Sequence, residues 1–454
     1  MDRIPDVLER VLELSKADAC IAIGRRSSQA NIRWAGNTPT TNGVAEGAGL
    51  TIVSIVGRRV GVIARNHFPD DGLEDLVRES EAACEGKPEA EDYMPLLEGT
   101  APAGDWSAPA ATTDITVFDR FTPQLAGMFD RAGAADVNTY GYAEHTASTV
   151  WLATSSGVRA RDHTPSGRVE VTAKSTDFAR SAWAGVGTAD FTDVRLGTLF
   201  DGLAQRLQWS ERKVEVPAGK YEVVLQPAAV ADMLIYMYWS SSARDADEGR
   251  TVFHKTGGGN RLGEKMFAGG VNVYSDPAEP GLTGERFVRT AGSSSYSSVF
   301  DNGLPTRRVD WVHDGALNAL VTTRHWAARS DGEPAPLISN LVFPAEGRSL
   351  EEMVAETERG LLVTCFWYIR AVDPQTLLLT GLTRDGVFLV EGGEVVGAAN
   401  NFRYNMSPVA MLAQTTEIGR SAPTLPREFE EFGLTKMPPI RVADFNMSSI
   451  SEAT

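Results

Sequence analysis

The sequence predicts an α+β protein with two domains, and three observations indicate this. Short apolar runs separated by turn dipeptides outnumber the helical patterns. At 454 residues, the chain is also longer than one average domain. Finally, helices alternate with hairpins before residues 211–219, whereas strands dominate after them. We therefore expect an N-terminal α/β layered domain at residues 1–213 and a larger, mostly antiparallel β domain at residues 214–454.

The N-terminal half begins with an amphipathic helix that carries Ile4, Val7, Leu8 and Val11 at helical spacing. Two strands, 19–23 and 30–34, are predicted to be antiparallel neighbours, followed by a turn at Asn42-Gly43. A hairpin is then expected around Gly57-Arg58, between strands 48–56 and 59–64.

The first round of elements ends with a further helix and a connector, and a second round of similar elements follows the connector. A helix at 73–84 leads into the segment 95–113, which is rich in Ala, Pro and Gly and is expected to be an exposed connector. Beyond it we predict a helix at 123–133, strands at 139–145, 149–153, 157–162 and 169–175, and a helix at 196–209.

In the C-terminal half, a strand at 221–225 feeds a helix that starts at Pro227, where the first helical turn tolerates the missing N–H. Val230, Met233, Leu234 and Met237 form one buried stripe on this helix. Other helices are expected at 349–358 and 409–414. The predicted strands are 271–274, 309–312, 319–323, 361–368, 376–379, 386–390 and 394–398.

Composition excludes several classes of protein. A net charge of −17 and a pI near 4.9 argue against nucleic-acid binding. The three cysteines form no CxxC pair, so neither a disulfide framework nor a cysteine zinc site is supported. Apolar runs fall short of the roughly 18 residues of a membrane span. The chain starts with an acidic amphipathic helix instead of a signal peptide, so we expect a cytoplasmic protein without a membrane partner.

The usual catalytic motifs are missing from the sequence. No two of the six histidines lie within five residues of each other, which excludes an H-E-x-x-H pair on a helix. Residues 258–263 have P-loop spacing, but Glu264 occupies the lysine position and would repel phosphate. Asp245, Asp247 and Glu248 lack the spacing of a calcium loop. Cys365 lies in an apolar strand, where cysteine behaves as a small hydrophobe.

The order of motifs in the C-terminal half resembles the TldD/TldE (PmbA) family, once called modulators of DNA gyrase and classed as U62 peptidases. The family pattern combines an Asp-x-x-Gly turn and a following Thr with Asn/Asp-Pro-x-Thr and then Glu-x-Gly-Glu. In this chain, Asp301 stands one residue from the family spacing. The matching positions are Asp301, Gly303, Thr306, Asp373, Pro374, Thr376, Glu391, Gly393 and Glu394.

This resemblance implies a function without catalytic residues in this chain. TldD-like members carry an H-E-x-x-x-H zinc helix and hydrolyse peptides, whereas TldE-like members lack it and pair with TldD. In this chain, Ile235, Tyr236 and Ser240 stand where that motif would be, so no metal or other cofactor is expected here. Zinc is expected in a TldD-like partner of a heterodimer or higher assembly that acts on peptides, including precursors of peptide-derived natural products. The candidate groove or interface residues are Asp301, Gly303, Thr306, Asp373 and Thr376.

Two alternatives remain open at this point. The chain could be a free-standing, homo-oligomeric binding or scaffold protein without an enzymatic role. It could also form an active site of its own from Asp245, Asp247, Glu248 or His254.

Overall fold

The computed structural model of the chain describes residues 4–69, 71–99, 104–282, 284–430, 432 and 435–452. Long antiparallel strands dominate, and helices pack against the sheets, which confirms the predicted α+β class. No helix within the described ranges is long and apolar enough to cross a membrane.

The N-terminal half is built on one antiparallel sheet, in which the described strands have the order β3-β2-β1-β4-β5-β6. Its strands are β1 (Ala19–Ala35), β2 (Pro39–Val56), β3 (Arg59–Arg65), β4 (Val137–Thr154), β5 (Arg159–Ser175) and β6 (Ser181–Thr188). The hairpin at Gly57-Arg58 between β2 and β3 is confirmed.

Several predicted strands of this half are segments of longer ones. The predicted neighbours 19–23 and 30–34 are one strand, because β1 pairs along its length with β2 on one side and β4 on the other. The predicted turn at Asn42-Gly43 is wrong for the same reason. Both residues lie inside β2, where they pair with Ile32 and Asn31 of β1. The predicted strands 139–145 and 149–153 likewise merge into β4, and 157–162 and 169–175 merge into β5.

One face of this sheet is covered by helices. These are α1 (Ile4–Leu14), α2 (Leu73–Ala82), α3 (Thr122–Ala134) and α4 (Leu196–Trp209). The even-numbered residues of β1 face these helices. Cys20 and Ala22 pack under α1 and α2, and Ile32 and Trp34 pack under α3 and α4. The odd-numbered residues therefore face the opposite way, toward the C-terminal half.

The segment 95–113 is less exposed than predicted. Its described residues form no helix or strand, as expected for a connector. However, Leu96 and Leu97 pack on the apolar cluster beneath them, and the carbonyl of Leu97 accepts a hydrogen bond from Ser156 Oγ (2.6 Å). The segment thus covers one end of the helix-free face.

The C-terminal half contains two sheets. Within the described residues, the larger has the order β14-β15-β18-β22-β8-β13-β16-β17-β7 with β19 beside β22, and the smaller has the order β11-β10-β9-β12-β21-β20. The strands are β7 (Lys213–Val214), β8 (Gly219–Leu225), β9 (Val273–Ser275), β10 (Val309–His313), β11 (Ala316–Leu317), β12 (Leu341–Val342), β13 (Arg359–Val363), β14 (Trp367–Asp373), β15 (Leu378–Leu382), β16 (Val387–Glu391), β17 (Glu394–Ala399), β18 (Phe402–Met406), β19 (Thr415–Ile418), β20 (Ala422–Thr424), β21 (Thr435–Met437) and β22 (Ile440–Ile450).

The helices of this half are α5 (Pro227–Trp239), α6 (Ala243–Asp247), α7 (Arg324–Arg329), α8 (Leu350–Ala355) and α9 (Pro408–Ala413). The helices predicted at 227–239, 349–358 and 409–414 are thereby confirmed. Two strand predictions fail here: 319–323 makes only single bridges, and 361–368 is interrupted at 364–366. The boundary between residues 213 and 214 stays a prediction, although β7, which spans it, pairs with β17 in the larger C-terminal sheet.

Candidate functional site

Helix α5 carries the positions that the resemblance singles out, and it lies in the largest hydrophobic core. The sequence predicts one buried stripe, but residues on every side of α5 are buried, among them Ala229, Ala231 and Ile235. Strands β20 and β21 and helix α9 pack around it, so no face is left to solvent along most of its length. A helix that is apolar all round is typical of such a central position.

The three positions where the resemblance places the zinc motif are occupied by residues that pack or form internal bonds. Ile235 is fully buried, and its side chain has no atom that could bind a metal. The Tyr236 ring packs against Phe429, with ring centroids 5.9 Å apart. Ser240 Oγ donates a hydrogen bond to the Tyr236 carbonyl (2.9 Å). Within the described residues, no three His, Cys, Asp or Glu side chains form a group that could hold a metal ion. The residues present therefore do not fit a zinc site.

The short segment 427–430, which we name the strap, crosses over α5 at this point. Asp232 of α5 is fully buried, and its carboxylate accepts backbone N–H bonds from Arg427, Glu428 and Phe429 (2.9–3.3 Å). Burial raises the pKa of Asp232 to about 8, and the three backbone donors act against this shift. Trp239 adds an edge-on contact to Phe429, with ring centroids 4.9 Å apart. Asp232 thus holds the strap in one place above the helix.

The acidic segment 245–254 follows α5, and we name it the acidic loop although Asp245 and Asp247 lie on the short helix α6. Internal bonds hold its side chains in place. Asp247 accepts hydrogen bonds from Asn260 Nδ2 and Trp326 Nε1 (both 2.8 Å). Asp245 and Glu248 both pair with Arg250. His254 Nδ1 lies 3.0 Å from the carbonyl of Ala246. Each side chain of the proposed independent active site therefore has a partner that fixes the loop.

A cleft lies between the helix-free face of the N-terminal sheet and the segment 285–289. Its larger cavity has a volume of about 470 Å³, and its floor consists of alternate residues of β4 and β5. These residues share one face because side chains two apart on a strand point the same way. The polar part of the floor comprises Glu144, Thr146, Ser148, Asp162, Thr164, Ser166 and Arg168.

A second cavity of about 330 Å³ adjoins the first, and Glu285, Phe287 and Arg289 line both. Trp239, at the end of α5, lines the second cavity. The cleft wall is anchored to the floor because Asp162 accepts hydrogen bonds from Arg286 N and Nε (both 2.8 Å). The cleft is thus polar along the sheet and partly apolar near α5.

A pair of carboxyl groups lies at the end of the cleft where the strap meets the sheet. Glu170 continues the row of floor residues on β5, and its carboxyl group hydrogen-bonds that of Glu430. Burial and this neighbour raise the pKa of Glu170 to about 7. Against the effect of burial, Glu170, Arg168 and Arg427 lower the pKa of Glu430. Below about pH 7, the pair therefore binds one proton, which is lost as the pH rises through the pKa of Glu170.

Two arginines hold this pair in place. Arg168 Nη1 lies 3.1 Å from Glu430 Oε1, and Arg427 Nη1 lies 3.6 Å from Glu170 Oε2. The Arg427 guanidinium also stacks over the Trp367 ring, 3.8 Å from its centroid. The strap is thereby tied to the N-terminal sheet by charge and to the C-terminal half by an aromatic ring.

The structure separates the predicted groove residues into two places. Asp301 and Thr306 line the 330 Å³ cavity. Gly303 lies beside them with φ +87°, and a Cβ there would come within 2.9 Å of Val158, so the tight turn requires glycine. Asp373 and Thr376 lie elsewhere, in the turn between β14 and β15, where Thr376 Oγ1 donates to Asp373 Oδ2 (2.7 Å).

Sequence reasoning missed the carboxyl pair, the two arginines and the cleft floor. The alternation of polar residues from Asp162 to Glu170 is a usable signal for one polar strand face. No local pattern, however, places Glu430 beside Glu170, since the contact depends on the path of the strap.

A comparison with protein families identifies the family of this chain. The family described as "PmbA/TldA metallopeptidase C-terminal domain" matches residues 218–449, which make up just over half of the chain. No functionally curated protein matches the chain.

Three solved structures share the fold across nearly the whole length of each chain. TldE from Thermococcus kodakarensis has 16% identity and a TM-score of 0.79, covering 97% of this chain and 98% of its own. A protein from Thermotoga maritima described as a modulator of a DNA gyrase has 15% identity and a TM-score of 0.77, covering 97% and 99%. A protein of the same description from Bacteroides thetaiotaomicron has 16% identity and a TM-score of 0.74, covering 98% of each chain. By the match to its C-terminal half, the chain belongs to the PmbA/TldD family of metallopeptidase-type proteins.

Proposed function

We propose that this chain is a TldE-like subunit without metal that works with a TldD-like zinc peptidase in the cytoplasm. The observation that carries the proposal is the state of α5. By the resemblance, Ile235, Tyr236 and Ser240 stand where the zinc helix of the TldD kind would have its ligands. Ile235 and Tyr236 pack in or against the core instead, and Ser240 bonds to the backbone of the same helix. In this proposal, the partner supplies the metal and activates water.

The cleft suggests what this subunit contributes. A floor of serine, threonine and charged side chains offers hydrogen bonds to a peptide backbone without selecting one sequence. The apolar end near Trp239 can bury a side chain of the same peptide. The chain would therefore hold an unfolded or short peptide while the partner cleaves it, either for degradation or during maturation of a peptide-derived product.

Reconstitution tests this proposal. The purified chain alone, a relative with the H-E-x-x-x-H helix alone, and the mixture are compared by size, bound zinc and hydrolysis of an unstructured peptide. We expect a stoichiometric complex with zinc and full activity only when the partner is present. Stoichiometric zinc and hydrolysis by this chain alone would refute the proposal, and the absence of any complex at micromolar concentration would favour a free-standing scaffold.

A variant of the acidic loop completes the experiment. Asp247→Asn with His254→Gln removes the groups that an independent active site would need, while both replacements retain hydrogen-bonding capacity. The activity per assembled complex should be unchanged. A loss of activity with normal assembly would show that this chain contributes catalytic residues of its own.

A further inference from the structure

The carboxyl group of Asp301 is buried with only one of its oxygens bonded. Asp301 ends a short 3₁₀ turn (Val299–Asp301) and is 3% exposed. Its Oδ2 accepts a hydrogen bond from the backbone N–H of Arg324 (3.1 Å). Its Oδ1 is buried and has no hydrogen-bond partner among the described residues. Leaving a buried carboxylate oxygen unsatisfied costs free energy that a ligand could recover.

Among the described residues, no cationic side chain forms an ion pair with Asp301, although the Arg324 charge lies near it. The Arg324 guanidinium donates to the carbonyls of Pro95 and Phe300 instead of to the Asp301 carboxylate. Burial raises the pKa of Asp301 to about 6, and the nearby carboxylate of Asp92 acts in the same direction. The backbone N–H and the charge of Arg324 act against this shift. The charged groups across the cavity, Glu285 and Arg289, pair with each other.

Asp301 also lines the 330 Å³ cavity near α5, together with large apolar side chains. Trp239 and Leu337 are 36% and 40% exposed and present an apolar wall to the cavity. The cavity thus combines the carboxyl group of Asp301, whose Oδ1 lies buried without a partner among the described residues, and an apolar wall. That combination suits a cation attached to an apolar stem.

We propose that this cavity is a subsite in which Asp301 binds a cationic nitrogen of a peptide lying in the cleft. The nitrogen is either the N-terminal ammonium or the side-chain cation of a lysine or arginine, and both offer N–H donors to Oδ1. The apolar part of that residue packs on Trp239 and Leu337. This inference rests on the proposed peptide-binding function and adds the chemical class of residue that the cleft prefers.

The experiment measures binding of short alanine–serine peptides with one central lysine to the full chain by isothermal titration calorimetry. The panel contains the parent peptide, its N-acetylated form, its lysine-to-glutamine form and the form with both changes. We expect the form without any cation to bind at least about tenfold more weakly than the parent. The single change that produces this loss identifies the source of the cation.

Asp301→Asn tests whether the carboxylate is responsible, since asparagine keeps the size and removes the charge. This variant should bind all four peptides with the weak affinity of the uncharged form. Asp201→Asn, at an exposed ion pair on α4, serves as the matched control and should leave the discrimination intact.

Three results would overturn the subsite. They are equal binding of all four peptides to the natural chain, retained discrimination in a folded Asp301→Asn variant, and no binding of any peptide. Because the panel is first measured on the natural chain, the outcome does not depend on how well the variant folds. Assembly with the zinc-bearing relative is measured separately, so a failed subsite with an intact complex is distinguishable from a failure of the proposed function.

Discussion

Replacing Glu170 by glutamine should stabilise the folded chain increasingly as the pH rises from about 4.5 to about 7. The pKa of Glu170 is raised by burial and by Glu430, from the ordinary 4.5 to about 7. A carboxyl group with a raised pKa leaves the free energy of unfolding unchanged below pH 4.5, where it is protonated in both the folded and the unfolded state. Above pH 7, where the group is ionised in both states, it lowers the free energy of unfolding by its full amount.

The magnitude follows from the size of the shift. About 2.5 pH units at about 1.4 kcal/mol per unit give an upper bound of roughly 3.5 kcal/mol. The Glu170 side chain is only 16% exposed, so solvent screening reduces this figure little. Glutamine is neutral at every pH and can still accept the hydrogen bond from Trp183 Nε1. Losing a contact with Glu430, Arg168 or Arg427 would shift the free energy of unfolding of the variant by a constant amount. The prediction concerns only how the difference from the natural chain changes with pH.

The assay is urea unfolding followed by far-ultraviolet circular dichroism from about pH 5 to about pH 8. Glu211→Gln is the matched control, because Glu211 is 64% exposed and, among the described residues, forms its ion pair with Arg180 at the surface. We expect the difference between Glu170→Gln and the natural chain to grow with pH and the control difference to stay flat. Parallel curves for the natural chain and Glu170→Gln would refute the assignment of a raised pKa to this residue.

Three further predictions concern packing and reactivity. Gly61→Ala should lower the free energy of unfolding by about 1–3 kcal/mol, because its Cβ would lie 2.0 Å from the Ser80 carbonyl of α2. Gly127→Ala is the control, because Gly127 lies on the open side of α3, and it should raise the free energy of unfolding by up to about 1 kcal/mol. Urea unfolding of both variants measures the two changes. Asp232→Ala should cost about 2 kcal/mol or more and make the strap susceptible to limited proteolysis, since three backbone N–H groups lose their acceptor; an unchanged digestion pattern would contradict this. Iodoacetamide at neutral pH should modify no thiol of the folded chain but all of them after unfolding, because burial raises the pKa of Cys20, Cys84 and Cys365.

Sequence patterns predicted the class of fold and the type of most elements, because apolar periodicity and turn residues act locally. They failed where a strand is polar but paired on both sides. Residues 24–29 of β1 contain Arg and Ser in place of apolar alternation, and only β2 and β4 make them a strand. The apparent turn at Asn42-Gly43 shows the same effect, since pairing with β1 overrides the local preference of these residues.

The candidate site was harder to predict than the fold, because it joins distant parts of the chain. Asp301 and Thr306 were singled out through the resemblance, and they do line a cavity. The contact between Glu170 and Glu430 could not be found this way, since it requires the strap to pass over α5. Asp232, which positions that strap, is a lone acid in an apolar helix and carries no motif of its own.

The central place of β22 in the larger C-terminal sheet bears on how the chain is made. This strand pairs with β8, β18 and β19, and Arg441 bonds to Glu222, which precedes it by 219 residues. During synthesis, β8 and α5 therefore leave the ribosome long before the strand that completes their sheet. Such distant pairing slows folding and leaves apolar surface open in the meantime. The C-terminal half should consequently depend on chaperones while the chain grows, whereas the N-terminal sheet can form from its own residues as soon as β6 has emerged.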